Sequence, residues 1–80
     1  MKYLAFGIVF ESGSTNSLEV DTDNPAKVEK QMNKEWGYDK GYFDQVFLIK
    51  NSRGSPEVHK IFNRQANGSL AVNKGYSFIL

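Results

Sequence analysis

Few residues in this sequence have the chemistry to catalyse a reaction or to hold a metal ion. His59 is the only histidine and there is no cysteine, so an ordinary zinc site would need three carboxylates beside one imidazole. The stretch Asp21-Thr22-Asp23-Asn24 begins like a calcium-binding loop. However, Ala26 takes the sixth position, where that loop needs glycine, and Met32 takes the twelfth, where it needs glutamate. No pair of carboxylates suggests acid–base catalysis. The sequence therefore predicts a protein that is not an enzyme and needs no cofactor.

Aromatic side chains make up 14% of the sequence, and several of them follow the predicted helix closely. The steps Gly37-Tyr38 and Gly41-Tyr42 place tyrosines among glycine and charged residues, so we expect both rings to face solvent. We expect Trp36 and Phe43 to pack partly under the end of the helix. Exposed tyrosines near a cation suit a protein-binding hot spot or a base-stacking platform. The predicted partner-binding residues are Trp36, Tyr38, Lys40, Tyr42 and Phe43.

Apolar periodicity predicts the elements that position this segment. The predicted elements are a strand over Lys2–Phe10, a strand over 18–22, a helix over 24–36, a strand over 45–50 and a C-terminal strand over 69–80. Asp23-Asn24-Pro25 is typical of a helix start, with Asn24 or Asp23 as the capping residue, and Gly37 is typical of a helix end. Segment 56–65 fits a short helix and a strand equally well. We therefore predict a single α+β domain over 1–80. Its antiparallel sheet has about four strands, a ββαβ core plus the C-terminal strand, with the helix across one face.

The first strand has two apolar faces that differ in bulk. We expect the heavy face, Leu4, Phe6, Ile8 and Phe10, to carry the core. The light face consists of Tyr3, Ala5, Gly7 and Val9. If segment 56–65 is a strand, we expect this light face to lack an internal partner, so that a homodimer could bury it; otherwise a monomer is expected. The expected core is Leu4, Phe6, Ile8, Phe10, Val20, Val28, Met32, Phe47, Ile49 and Phe78.

Composition narrows the possible partners. The formal net charge of +1 excludes a strongly acidic DNA mimic and gives no electrostatic argument for tight binding to duplex DNA. No segment approaches the ~20 apolar residues of a membrane span, and the N-terminus lacks the pattern of a signal peptide. We therefore expect a cytoplasmic protein that does not bind a membrane.

The order of these elements resembles that of small orphan proteins of phages and mobile elements, including some type I anti-CRISPR proteins. The resemblance is carried by Glu19-Val20-Asp21 through Trp36, by Phe43-Asp44 and by the terminal Gly75-Tyr76-Ser77-Phe78. It implies a non-catalytic inhibitor or modulator that occludes a host protein or nuclease complex, and it implies no particular site residue. The alternative is a small nucleic-acid-binding module that uses an aromatic and basic surface.

Overall fold

A computed structural model of the chain describes residues 2–38 and 41–73, which form one helix and five strands. In chain order these are β1 (Tyr3–Ile8), β2 (Thr15–Val20), α1 (Pro25–Trp36), β3 (Gln45–Ser52), β4 (Ser55–Arg64) and β5 (Leu70–Val72). The strand order across the sheet is β2-β1-β3-β4-β5, and every neighbouring pair is antiparallel. The predicted α+β class is confirmed, with five strands instead of about four.

The helix begins and ends where its capping residues predict. The Asn24 side chain accepts hydrogen bonds from the backbone N–H groups of Ala26 and Lys27, and Pro25 occupies the first turn, where a missing donor costs little. Gly37 closes the helix in the left-handed region, with φ of 67°. These local signals fix the direction in which the chain leaves α1 and enters residues 36–43, which we call the aromatic segment.

Segment 56–65, for which the sequence favours neither helix nor strand, forms most of strand β4. The deciding feature is the turn before it: Arg53 and Gly54 have φ of 53° and 81°, and they join Ser52 to Ser55 as a two-residue hairpin. Positive φ at both central positions matches the twist of the flanking strands. Pro56 lies near the start of β4, where a strand tolerates it.

The helix packs on the light face of β1, so the expectation that the heavy face carries the core is wrong. Ala5 is fully buried, and the ring of Phe43 lies over Gly7 so closely that a Cβ at Gly7 would stand 2.6 Å from Phe43 Cδ1. Small residues are needed on this face because the helix and Phe43 supply the bulk. The helix-side core consists of Ala5, Val20, Val28, Met32, Phe43, Val46, Leu48, Phe62 and Leu70.

The residues that the sequence places in the core differ in their exposure to solvent. Leu4 and Phe10 are exposed, with relative accessibilities of 41% and 63%, whereas Val20, Val28 and Met32 are buried as expected. Four further residues of the expected core lie on the outward face of the sheet, which is the face turned away from α1, and they are half-buried: Phe6, Ile8, Phe47 and Ile49. Of the C-terminal strand expected over 69–80, Leu70–Val72 is observed as β5, while residues 74–80, including Phe78, lie outside the described residues.

The expectation that the light face lacks an internal partner, on which the homodimer through that face depended, is also wrong. Segment 56–65 is a strand, which was the condition for that dimer, yet Ala5 and Gly7 are buried inside the chain. Val28 and Met32 of the helix belong to the same buried cluster as Ala5, and the ring of Phe43 lies over Gly7. The helix and Phe43 together therefore cover this face.

Candidate protein-binding surface

The segment after α1 is attached to the sheet by Phe43. Its side chain is 2% exposed and belongs to the helix-side core. The backbone of the next residue extends the sheet hydrogen bonding: Asp44 N–H donates to Ile8 O at 2.9 Å, and Arg64 N–H donates to Asp44 O at 2.8 Å. The segment therefore joins β1 to β4 at one end of the sheet.

Arg64 fixes the same segment from the side chain. Its Nε and Nη2 donate to Phe43 O at 2.9 and 2.6 Å, and its Nη1 donates to Gly68 O at 3.0 Å. Nη2 also lies 2.5 Å from Glu29 Oε2 on the helix, and both side chains are nearly buried. One guanidinium thus ties together the helix, the aromatic segment and the β4–β5 turn.

Tyr38 and Tyr42 form a stacked pair above Phe43. Their ring centroids are 3.9 Å apart at an interplanar angle of 16°, and Phe43 meets the Tyr42 ring edge-on at 4.9 Å. Tyr38 is half-buried, and its hydroxyl accepts a hydrogen bond from Asn16 Nδ2 at 3.1 Å. Tyr42 is 39% exposed. Partial desolvation raises the pKa of the Tyr42 hydroxyl, and the neighbouring Tyr38 raises it further.

The remaining predicted site residues extend this arrangement or lie outside it. Trp36 is half-buried against the core, with its ring 5.8 Å from that of Tyr38. Lys40 lies outside the described residues. Of the expected solvent-facing tyrosines, Tyr42 is exposed and Tyr38 is packed between its neighbours. Among the described aromatic residues of the segment, the exposed surface is therefore mainly the outer side of the Tyr42 ring.

Phe10 is an exposed aromatic residue that the sequence pattern places in the core. It is 63% exposed, and its backbone N–H donates to Asp44 Oδ2 at 2.8 Å, which places it beside the aromatic segment. The signal that could have revealed it is its position at the end of the strand, directly before the polar turn. We call Phe10, Trp36, Tyr38, Tyr42 and Phe43 together the aromatic end of the molecule.

The residues with catalytic or metal-binding chemistry have structural partners instead. His59 stacks on the Tyr3 ring at a centroid distance of 4.9 Å, and its Nε2 lies 3.3 Å from Asp23 Oδ2. Lys60 Nζ lies 3.2 Å from the same oxygen, and these two contacts lower the pKa of Asp23. Within residues 2–38 and 41–73, no group of three or more His, Cys, Asp or Glu side chains is arranged to hold a metal ion.

The carboxylate of Asp21, which opens the calcium-like stretch, also has a partner. Gln31 Nε2 donates to its Oδ1 at 3.0 Å, and this hydrogen bond is the main reason that the pKa of Asp21 is lowered. Together with the capping role of Asn24, this accounts for the polar residues between β2 and α1. The stretch serves the start of the helix.

Comparison with protein-family models, with curated proteins and with solved structures gives no match to this chain. In the part of the chain that the structure describes, no helix is long and apolar enough to cross a membrane.

Proposed function

We propose that this chain is a non-catalytic protein-binding inhibitor or modulator, and that it contacts its partner through the aromatic end. The observation that supports this most directly is the exposure of two aromatic side chains, Phe10 and Tyr42, beside Asp44 and Phe43. The Phe10 N–H donates to Asp44 Oδ2, and Tyr42 directly precedes Phe43, whose carbonyl accepts hydrogen bonds from Arg64. Aromatic anchors that stand on fixed backbone are typical of interface hot spots.

The way the rings are held favours tight binding. Tyr42 is stacked on Tyr38 and braced by Phe43, so little rotational freedom remains to be lost when a partner docks on its outer side. The backbone carbonyl of Phe43 is held by Arg64, which in turn contacts the helix. A preorganised surface of this kind needs no catalytic group to inhibit a partner, because occlusion is sufficient.

The resemblance to anti-CRISPR proteins suggests one class of partner, a host nuclease complex, and this too is a proposal. A nucleic acid is the alternative ligand, since bases stack on exposed tyrosine rings. The near-neutral charge of the chain favours a protein instead, because nucleic-acid binding draws most of its affinity from lysine and arginine contacts to phosphates.

The proposal is tested by capture from a lysate of the cells in which the protein acts, using the wild type, Phe10→Ala, Tyr42→Ala and Val58→Ala. Val58 is the matched control, because it is 39% exposed, as Tyr42 is, and lies on the outward face of β4. We expect a protein that wild type and Val58→Ala retain equally and that both aromatic variants lose by at least tenfold.

Two outcomes contradict the proposal. Equal recovery of the partner by all four proteins would place the contact surface elsewhere. Fluorescence polarisation with single- and double-stranded probes at two salt concentrations covers the alternative: salt-sensitive binding that Tyr42→Ala abolishes would assign the aromatic end to a nucleic acid.

A further inference from the structure

Strand β2 forms one edge of the sheet, and its open side has little protection against pairing with another strand. Within the part of the chain that the structure describes, β2 pairs with β1 alone, in a continuous register. Its sequence contains no proline or lysine, and its one charged residue, Glu19, has Lys2 as an ion-pair partner at 3.4 Å. Natural sheets normally protect an edge with such residues, with a bulge or with a very short strand. The six residues of β2 therefore offer a template for another strand.

The opposite edge carries the protection that β2 lacks. In the described residues, β5 has only the three residues Leu70–Val72, which pair with Phe62–Arg64 of β4. The part of β4 before this pairing contains Pro56, which has no N–H to donate, and a register shift opposite Leu48 and Ile49. The two edges are therefore not equivalent, and β2 is the better suited to accept a strand.

The hydrogen bonding of the β1–β2 hairpin identifies the backbone groups at the open edge. Val9 N–H donates to Ser14 O at 2.9 Å, so this pair, one step beyond the last pair of the ladder, is hydrogen-bonded. Hydrogen-bonded and non-hydrogen-bonded pairs alternate along an antiparallel ladder. Every second residue of β2 therefore turns its N–H and C=O groups away from β1, and these edge-facing residues are Thr15, Ser17 and Glu19. All three are exposed.

Asn16 links this edge to the aromatic end. Its Nδ2 donates to the Tyr38 hydroxyl at 3.1 Å, and its Oδ1 accepts from the edge-facing N–H of Ser17 at 3.0 Å. The edge-facing N–H groups of Thr15 and Glu19 have no hydrogen-bond partner among the described residues. A strand added to β2 would therefore find free donors and would lie beside the stacked tyrosine pair.

We propose that the protein partner docks an extended segment of its own chain on β2, as a sixth strand that continues the sheet beside the aromatic end. This inference rests on the proposed function and adds the form in which the partner meets that surface. Main-chain hydrogen bonds to the edge-facing residues supply the attachment, and alternate side chains of the segment supply the specificity. On the helix side β2 presents Leu18, which is half-buried against the core, so every second residue of the segment should be apolar.

Amide hydrogen exchange of the wild type, alone and bound to the partner recovered in the capture experiment, tests this directly. In the free protein, β1 protects the amides of Asn16, Leu18 and Val20, whereas those of Thr15 and Glu19 are open to solvent. We expect the partner to slow exchange at Thr15 and Glu19 at least tenfold. Protection gained at alternate residues is the signature of an added strand, because a side-chain contact does not select every second amide.

A substitution at Ser17 tests the same edge through binding. Ser17→Pro removes an edge-facing N–H and places a ring in the path of the added strand, while the hydrogen bonds between β1 and β2 remain. It should keep the fold and weaken partner binding at least tenfold. Ser17→Thr, which keeps the N–H at the same position, is the matched control and should bind as the wild type does.

Two results would overturn the proposal: Thr15 and Glu19 amides that exchange as fast in the complex as in the free protein, or a folded Ser17→Pro that binds as the wild type does. Should Ser17→Pro fail to fold, the exchange measurement on the wild type decides alone. Phe10→Ala and Tyr42→Ala separate this proposal from the proposed function. Open edge amides in a complex that these variants weaken would remove the added strand only, and protected amides in a complex that they leave intact would remove the aromatic contact only.

Discussion

Substitution of Gly7 by alanine tests the packing that places the helix on the light face. The new Cβ would stand 2.6, 2.7 and 2.8 Å from three ring atoms of Phe43, closer than carbon atoms approach without displacement. The ring has little room to move, since Phe43 is 2% exposed and its carbonyl is held by Arg64. Either Phe43 or β1 must therefore shift.

The size of the stability change follows from two opposing effects. Overpacking a well-packed core costs typically about 1–3 kcal/mol. Replacing glycine by alanine also restricts the unfolded chain, which stabilises the fold by about 0.4–1 kcal/mol. The clash outweighs this stabilisation, so we expect Gly7→Ala to lower the free energy of unfolding by about 1–2 kcal/mol. For a domain of this size the melting temperature should fall by roughly 4–15 °C.

Urea denaturation of Gly7→Ala in two backgrounds isolates the contact. In the Phe43→Leu background the smaller side chain leaves space for the new methyl group, so the cost of Gly7→Ala should fall by at least half. Equal or greater stability of Gly7→Ala in the wild-type background would refute the packing. It would mean that Gly7 faces open space and that the helix lies on the heavy face instead.

The remaining predictions concern stability and are read by chemical or thermal denaturation. Phe43→Ala should cost about 3–5 kcal/mol because it empties a core position, whereas Tyr42→Ala should change stability by less than ~1 kcal/mol; equal losses would contradict the assignment of one ring to the core and the other to the surface. Arg64→Ala leaves the nearly buried Glu29 carboxylate without its guanidinium and should cost about 3 kcal/mol, and a cost below ~1 kcal/mol would contradict this. The pKa of Asp23 is lowered from 3.8, so its contribution to stability is present above that value and is lost as the pH falls through the lower, folded-state pKa. Asp23→Asn should flatten the pH dependence of the melting temperature in that range, and an unchanged profile would contradict this.

The helix could be predicted from the sequence because its signals are local. Asn24 and Pro25 at the start and Gly37 at the end act on backbone groups within a few residues, so no knowledge of the rest of the fold is needed. The α+β class followed for a similar reason, since alternation in β1 and a run of four apolar residues in β3 identify strands whichever face is buried.

The choice of faces could not be made from bulk alone. Leu4 and Phe10 are larger than Ala5 and Gly7, yet the small residues are buried because Phe43, far along the chain, fills the space above them. Such a contact is set by the tertiary arrangement and has no local signature. The same error assigned Phe10 to the core and thereby removed an exposed aromatic residue from the candidate site.

Segment 56–65 shows how turn geometry outweighs local propensity. A helix start at Ser55-Pro56 is as good a local interpretation as a strand, but Arg53-Gly54 adopts the two positive φ values of a tight hairpin and commits β4 to pair with β3. The register of this pair changes between Leu48 and Ile49, which no alternation rule predicts.

The measurement that tests the central proposal most directly is the dissociation constant of the captured partner for a Phe10→Ala/Tyr42→Ala double variant that retains the wild-type melting temperature. If the aromatic end is the contact surface, each truncation weakens binding by about tenfold or more, which is about 1.4 kcal/mol. The double variant should then lose about a hundredfold if the two sites act independently, while Val58→Ala stays at the wild-type value. A double variant that binds within twofold of the wild type would contradict the proposal that this protein works through its aromatic end.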